Sequence, residues 1–203
     1  LIQFFKLDIG FMKKGKYLVT GCAGFIGSNL VNKIYKDHEL ILVDDLSEGN
    51  IKNLPKKLKK KKKKKKIQDI KKLKTKKING IFHFAAQSSV PLSLLDFYKS
   101  SKNNFESSLK VFEISKDFSA PVIYASSAAV YGKLPLGSDQ KNKFLITSPY
   151  AQDKLTTEHY AKMLFEIYKI SSLGLRFFNV YGPGQPANSP YSSVIPKFIK
   201  RTL

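Results

Sequence analysis

Tyr150 and Lys154 stand four positions apart in the segment Ser148-Pro149-Tyr150-Ala151-Gln152-Asp153-Lys154. Pro149 suits the first turn of a helix, and on a helix that spacing puts both side chains on one face, one turn apart. An ammonium beside a phenol favours the phenolate and draws its pKa from about 10 towards neutrality, which makes the tyrosine a usable general base. Tyr-x-x-x-Lys is common by chance, and its plain alternative is a solvated helix face. Upstream, the apolar run Val122-Ile123-Tyr124-Ala125 leads into Ser126-Ser127-Ala128-Ala129-Val130-Tyr131-Gly132. That arrangement delivers hydroxyls to the carboxyl edge of a sheet, the side on which ligands bind in open α/β folds.

Three glycines follow the first apolar run, in Thr20-Gly21-Cys22-Ala23-Gly24-Phe25-Ile26-Gly27. Gly21 allows a tight strand-to-helix turn, Gly24 lets the backbone approach a pyrophosphate, and Gly27 permits close packing of helix on sheet. Free amides at the positive end of the helix then receive the phosphates. Twenty residues after Gly24 comes Val43-Asp44-Asp45-Leu46-Ser47. A carboxylate there accepts the ribose hydroxyls of an adenosine, a role assigned to Asp44. Its charge repels a 2′-phosphate, so NAD is favoured over NADP. The plain alternatives are an ordinary αβ turn and an aspartate that only caps it.

These groups need a rigid sheet edge to hold them. Residues 17–20, 40–43, 81–84, 122–125 and 173–178 read as buried strands, and 25–36, 101–116 and 150–169 as helices. The alternation predicts an α/β fold, a Rossmann-type doubly wound parallel sheet with right-handed crossovers. A chain of 203 residues is one domain or slightly more. Its one cysteine, Cys22, cannot form an internal disulfide and fits a reducing, cytoplasmic setting. No apolar run approaches the roughly 18 residues that cross a bilayer, so no membrane partner is expected, and no metal site is read.

The formal net charge of +21 is concentrated: residues 52–77 hold 16 of the 36 Lys+Arg with one acid, Asp69, which leaves +6 for the remainder. Between Lys56 and Lys66 ten lysines are interrupted only by Leu58, where the alternation requires a third strand. Such a run repels itself and buries nothing, so it reads as a solvated or disordered segment, or as the product of a homopolymer tract. A polyanion-binding tail is the competing reading, weakened by the lack of aromatic residues on which bases stack. No nucleic-acid partner is therefore expected. At the amino end, Met12 opens a stretch that mimics a basic leader ending at Cys22. Its apolar part, Tyr17 to Val19, falls short of the roughly 7–15 residues of a signal sequence. Met12 reads as the natural start and residues 1–11 as upstream read-through.

Taken together, these motifs resemble the NAD-dependent epimerase/dehydratase family, the extended short-chain dehydrogenases/reductases, and within it the UDP-sugar 4-epimerases. The resemblance runs from about Lys14 to Ile199 apart from the lysine-rich stretch, and adds Phe82-His83-Phe84-Ala85-Ala86, Asn104 and the segment Arg176 to Pro183. It implies NAD as cofactor and assigns roles residue by residue. Tyr150 is the general base, Lys154 holds the nicotinamide ribose and tunes the tyrosine, and Ser127 hydrogen-bonds the reacting sugar hydroxyl. Cofactor contacts fall to Gly21, Gly24, Phe25, Ile26, Gly27, Asp44 and Asp45, with Ala85, Ala86 and Gln87 as a lining loop. Asn104 is expected near the nicotinamide and Asp69-Ile70 near adenine. Ser89, Asn179 and Val194 are expected at the nucleotide sugar, Asn179 at its diphosphate. His83 is a sheet residue in such proteins rather than a proton shuttle, and its own strand context agrees.

The activity implied is inversion at C4 of a UDP-hexose, UDP-N-acetylhexosamine or UDP-hexuronate through a 4-keto intermediate, with a homodimer as the full-length form. A 4,6-dehydratase of this family carries acidic residues directly after the Ser/Thr, whereas Ala128 and Ala129 follow Ser127 here, which disfavours dehydration. A nucleotide-sugar oxidoreductase or decarboxylase stays open, and a nucleic-acid binder acting through the lysine run is the reading outside enzymes. Family members are longer. Residues 12–180 are accordingly expected to form the NAD-binding domain and 181–203 the start of a truncated substrate-binding portion, with weak or no turnover from this length of chain.

Overall fold

In the computed structural model, residues 12–133, 145–185 and 198 are described. Val194, the residues 1–11 read as upstream read-through and most of the expected substrate-binding start lie outside them. Six parallel strands form one sheet in the order β3-β2-β1-β4-β5-β6. They are β1 (Lys16–Thr20), β2 (Glu39–Asp44), β3 (Lys63–Lys64), β4 (Gly80–His83), β5 (Val122–Ser127) and β6 (Ser172–Phe177). The helices are α1 (Phe25–Ile34), α2 (Val90–Leu95), α3 (Phe97–Phe118) and α4 (Pro149–Tyr168).

Period-two alternation sends successive strand residues to opposite faces. Leu18, Val43, Ile81, Val122 and Tyr124 enter one buried cluster, which Val111 and Phe112 of α3 and Ala161 of α4 complete. Tyr17, Val19, Leu42 and Phe82 enter the other, against Val31 and Ile34 of α1. The expected doubly wound fold is therefore present. The strand order reverses between β1 and β4, and this switch point opens a crevice at the carboxyl edge.

The lysine-rich stretch departs from expectation. It contains the third strand, reduced to Lys63–Lys64 and paired with Val43 and Asp44 at the sheet edge. Around it lie three 3₁₀ turns, and the stretch places Leu54, Leu58, Ile67, Ile70, Leu73 and Ile78 in the two clusters. Burial of each such side chain is worth about 1.5–3 kcal/mol, which anchors the segment to the core. A short edge strand bearing lysine is also protected against pairing with other chains.

Two helix starts also differ. Val90–Leu95 is a short helix outside the expected set, formed because the Ser89 hydroxyl accepts Leu92 N–H and Pro91 fits its first turn. α3 begins at Phe97, where the Asp96 carboxylate accepts Lys99 N–H at 2.9 Å. α4 starts as expected, with the Ser148 hydroxyl accepting Ala151 N–H and Pro149 in the first turn. No helix among the described residues is long and apolar enough to cross a membrane.

Candidate active site

Gly21 leaves β1 with φ +66°, and its N–H donates to Val43 O at 2.9 Å. A Cβ at this position meets Ala85 N and Phe84 C at 2.6 Å, and one at Gly27 collides with the Gly21 carbonyl. Gly24 is different: its added Cβ meets only Gly21 O, at 3.4 Å. The first and third glycines thus close the turn, whereas the middle one keeps a space open in front of α1. That space belongs to a crevice of about 570 Å³. Phe25, Ile26 and Gly27 line it too, bringing the first helical turn, whose amides lack intrahelical acceptors, to its wall.

Tyr150, Lys154 and Ser127 line the same crevice. Ser127 ends β5, and its hydroxyl accepts Ala129 N–H at 3.1 Å. Tyr150 is held by α4, with its N–H donating to Ser93 Oγ of α2. Lys154 Nζ donates to Ala125 O at 2.8 Å and lies 5.7 Å from the centre of the Tyr150 ring. The expected fall in the tyrosine pKa does not occur. Burial raises the Tyr150 phenol above its ordinary value, opposed by a hydrogen bond with Ser127. The ammonium donates one hydrogen bond to the Ala125 carbonyl, and the contact that opposes the burial of the phenol comes from Ser127. Burial also lowers Lys154 to about 8, against the pull of the Asp153 carboxylate.

A smaller cavity, sharing Gly21, Gly24, Glu48, Phe84 and Ala86 with the crevice, extends towards the sheet edge. Asp44 lines it and is buried. Its two oxygens accept Ala23 N–H and Leu46 N–H, each at 2.8 Å. These bonds brace the glycine turn and hold Leu46 in the left-handed region at φ 63°, a conformation costing roughly 1–2 kcal/mol outside glycine. Each carboxylate oxygen keeps a second lone pair for a hydroxyl donor. Asp45 lines the cavity and accepts Ser47 N–H and Oγ–H. Lys65, Lys66, Ile67 and Gln68 close this end. Asp69 is exposed on the same turn and Ile70 is buried in the core, so neither lines either cavity.

Ala86 and Gln87 line the crevice and Ala85 the smaller cavity. Asn104 lines neither cavity. It sits behind the loop and clamps it, its Oδ1 accepting Gln87 N–H at 2.8 Å and its Nδ2 donating to Gln87 O at 3.1 Å. Ser89 lines the crevice while its hydroxyl caps α2, and Asn179 lines it exposed. His83 is buried, contacting Thr20 Oγ1 at 2.7 Å through Nδ1 and Ser108 Oγ at 3.3 Å through Nε2, and burial lowers it to about 3. It is a neutral sheet residue. Burial, with Asp44 beside it, raises the Cys22 thiol to about 12, which makes it inert. Among the described residues no group of three or more His, Cys, Asp or Glu could hold a metal ion.

One support was missed in the sequence. Ser126, Glu158 and Arg176 form a brace beneath Ser127. Glu158 continues the four-residue spacing of Tyr150 and Lys154, and extending that spacing by one step finds it.

The profile of the NAD dependent epimerase/dehydratase family matches residues 17–203. A UDP-N-acetylglucosamine 4-epimerase from Methanobrevibacter ruminantium, solved in complex with UDP-N-acetylmuramic acid, is 39% identical with a TM-score of 0.86, over 93% of this chain and 63% of that one. An ADP-L-glycero-D-manno-heptose-6-epimerase from Brachyspira hyodysenteriae is 35% identical over 87% of this chain and 58% of its own length. The UDP-glucose 4-epimerase of Thermus thermophilus, solved in complex with NAD, is 29% identical with a TM-score of 0.74, over 86% of this chain and 58% of that one. The chain thus spans about three fifths of the length of these relatives.

Proposed function

The chain belongs to the NAD dependent epimerase/dehydratase family, and from that premise we propose that it is the cofactor-binding part of a nucleotide-sugar 4-epimerase. The observation that carries this reading is a single crevice lined by the glycine turn, Ser127, Tyr150 and Lys154. The residues fit NAD: Gly24 leaves room where a pyrophosphate must approach, and the buried Asp44 offers a carboxylate one strand away. Residues 12–180 act as the dinucleotide-binding domain, with Gly21 to Gly27 holding the phosphates, Asp44 and Asp45 the adenosine ribose, and the loop 85–87 the inner wall. The chemistry that NAD supplies at such a site is reversible hydride transfer.

In this reading Tyr150 Oη takes the proton of the C4 hydroxyl, and Ser127 Oγ hydrogen-bonds the same oxygen. The Ser127 hydrogen bond is the contact that favours the phenolate, and Lys154 holds the nicotinamide ribose. Tyr150 later returns the proton when the opposite face of the sugar is presented, so C4 is inverted without net oxidation. Asn179 faces the diphosphate side of the substrate. The relatives named for UDP-N-acetylglucosamine and UDP-glucose support a UDP-N-acetylhexosamine or a UDP-hexose, a UDP-hexuronate resting on the family resemblance alone, and the absence of a carboxylate at Ala128 and Ala129 argues against dehydration. Exposed Leu94 and Leu95 on α2, Phe97 and Tyr98 at the start of α3, and Phe165 and Ile167 on α4 support pairing of two copies.

The test is product analysis by NMR with UDP-glucose and UDP-N-acetylglucosamine, using the chain extended to the length of its relatives. C4 epimers without accumulated NADH are expected, and Tyr150→Phe should abolish them while NAD stays bound. Net NADH formation, loss of water, or inversion at another carbon overturns the reading.

A further inference from the structure

At the amino ends of β1, β2 and β4, on the opposite edge of the sheet from the catalytic crevice, lies a cavity of about 890 Å³. Four separate segments bring lysines to it: Lys14 and Lys16 at β1, Lys36 after α1, Lys57 and Lys61 from the lysine run, and Lys76 and Lys77 before β4. Against these seven cations the lining carries two carboxylates, Asp37 and Glu39. Glu39 is already paired with Lys16 at 2.9 Å. Among the described residues the other six lysines make no ion pair. His38 lines the same cavity, and its buried Nδ1 has no hydrogen-bond partner among the described residues.

The end of α1 near this edge contributes about half a negative charge, far less than the excess of five positive charges in the lining. Cations gathered this closely repel one another and disfavour the folded state; a compact polyanion relieves that repulsion. Charge alone does not define the site, because Lys59, Lys60, Lys72 and Lys74 belong to the same lysine-rich stretch and lie outside the lining. What defines it is convergence of residues distant in sequence on one open, shallow concavity, at which six of the seven lysines are exposed.

We propose that this cavity binds a compact oligophosphate anion, independently of the crevice at the other edge. Lysine binds phosphate as a point charge without requiring a planar fork. A nucleic-acid strand fits less well: Tyr35 is an aromatic group of the lining, and Lys57 Nζ already sits 4.5 Å over its ring, leaving that face closed to a stacking base.

The test is calorimetric titration of the chain with sodium tripolyphosphate at about 0.15 M ionic strength. Saturable one-to-one binding is expected. The variant Lys36→Gln/Lys57→Gln/Lys61→Gln/Lys76→Gln should weaken it at least about tenfold, whereas Lys59→Gln/Lys60→Gln/Lys72→Gln/Lys74→Gln, which removes the same charge outside the cavity, should change it less than about twofold. Acetylation mapping on the unaltered protein gives an independent readout: tripolyphosphate should shield Lys57 and Lys61 more than Lys59 and Lys60. Absence of binding, equal weakening in the two variants, equal shielding, or tighter binding of a single-stranded RNA that depends on both lysine sets alike overturns the proposal.

Discussion

Arg176 grips Glu158 through two bonds, Nε at 2.9 Å and Nη2 at 2.7 Å from the two carboxylate oxygens. Ser126 Oγ donates to the same carboxylate, so β5, β6 and α4 are tied together beneath Ser127. The guanidinium also lies 4.9 Å from the centre of the Tyr131 ring. A bidentate charge-assisted pair is directional. It therefore fixes the rotation of α4, and with it the direction in which Tyr150 and Lys154 face.

Glu158→Gln should loosen that brace. It leaves the guanidinium half satisfied, but the pair is open to solvent on one side, so the loss of stability should be about 1–2 kcal/mol rather than the 3–5 of a fully buried pair. Urea unfolding reads this as a lower midpoint at unchanged slope. A midpoint equal to that of the unaltered chain means the brace does not hold α4.

Lys154 makes cofactor binding depend on pH. Burial brings it to about 8, below the usual lysine value of 10.5. The ammonium is present below pH 8 and lost above it, and a charged donor is roughly twice as strong as a neutral one. NAD affinity should thus fall about threefold to tenfold between pH 7 and 9, and Lys154→Met should remove the dependence. Stability runs the other way: between about 8 and 10.5 the unfolded chain binds this proton more tightly, so the cost of burying Lys154 diminishes as pH rises. Fluorescence titration of NAD across that range decides, and a pH-independent affinity in the unaltered chain excludes the role given to Lys154.

His83 should shape the acid limb of stability. Its folded value of about 3 lies below the usual 6.5, so the unfolded chain binds the proton more tightly between these values. Stability should fall as pH drops through that window, by up to about 1.4 kcal/mol per pH unit from this residue. His83→Asn should flatten the slope in denaturation curves taken from pH 6.5 to 4. Parallel slopes in the two proteins mean that other groups control the acid transition.

Periodicity and glycine spacing made the alternating strands, α1, α4 and the Tyr150/Lys154 face legible, because each depends on neighbours within a turn or two. Lys63–Lys64 was illegible as a strand since its lysines carry no apolar pattern; the anchoring comes from Leu58, Ile67 and Ile70 on either side. Asn104 illustrates a different limit. Its motif position was readable, but its engagement with Gln87 rather than the crevice depends on how α3 meets the loop 85–87. The direction of the Tyr150 shift was misjudged for a related reason: spacing shows that an ammonium is near, whereas burial of the phenol decides the direction.

The three glycines separate folding from cofactor binding. Gly21→Ala puts a side chain at φ +66° and against the backbone of Phe84 and Ala85, and Gly27→Ala drives a methyl into the Gly21 carbonyl. Both should destabilise the chain by several kcal/mol, because backbone cannot move aside as a flexible side chain can. Gly24 has φ −70° and only Gly21 O within 4 Å of an added Cβ, at 3.4 Å. Gly24→Ala should consequently keep a melting temperature within a few degrees of the unaltered chain, yet it places a methyl in the space through which a pyrophosphate must approach the turn. NAD affinity should drop at least about tenfold in this variant. Thermal melts and NAD titration on the same samples distinguish the two effects: loss of melting temperature in Gly24→Ala contradicts the packing account, and full NAD affinity in a well-folded Gly24→Ala contradicts the placement of the phosphates.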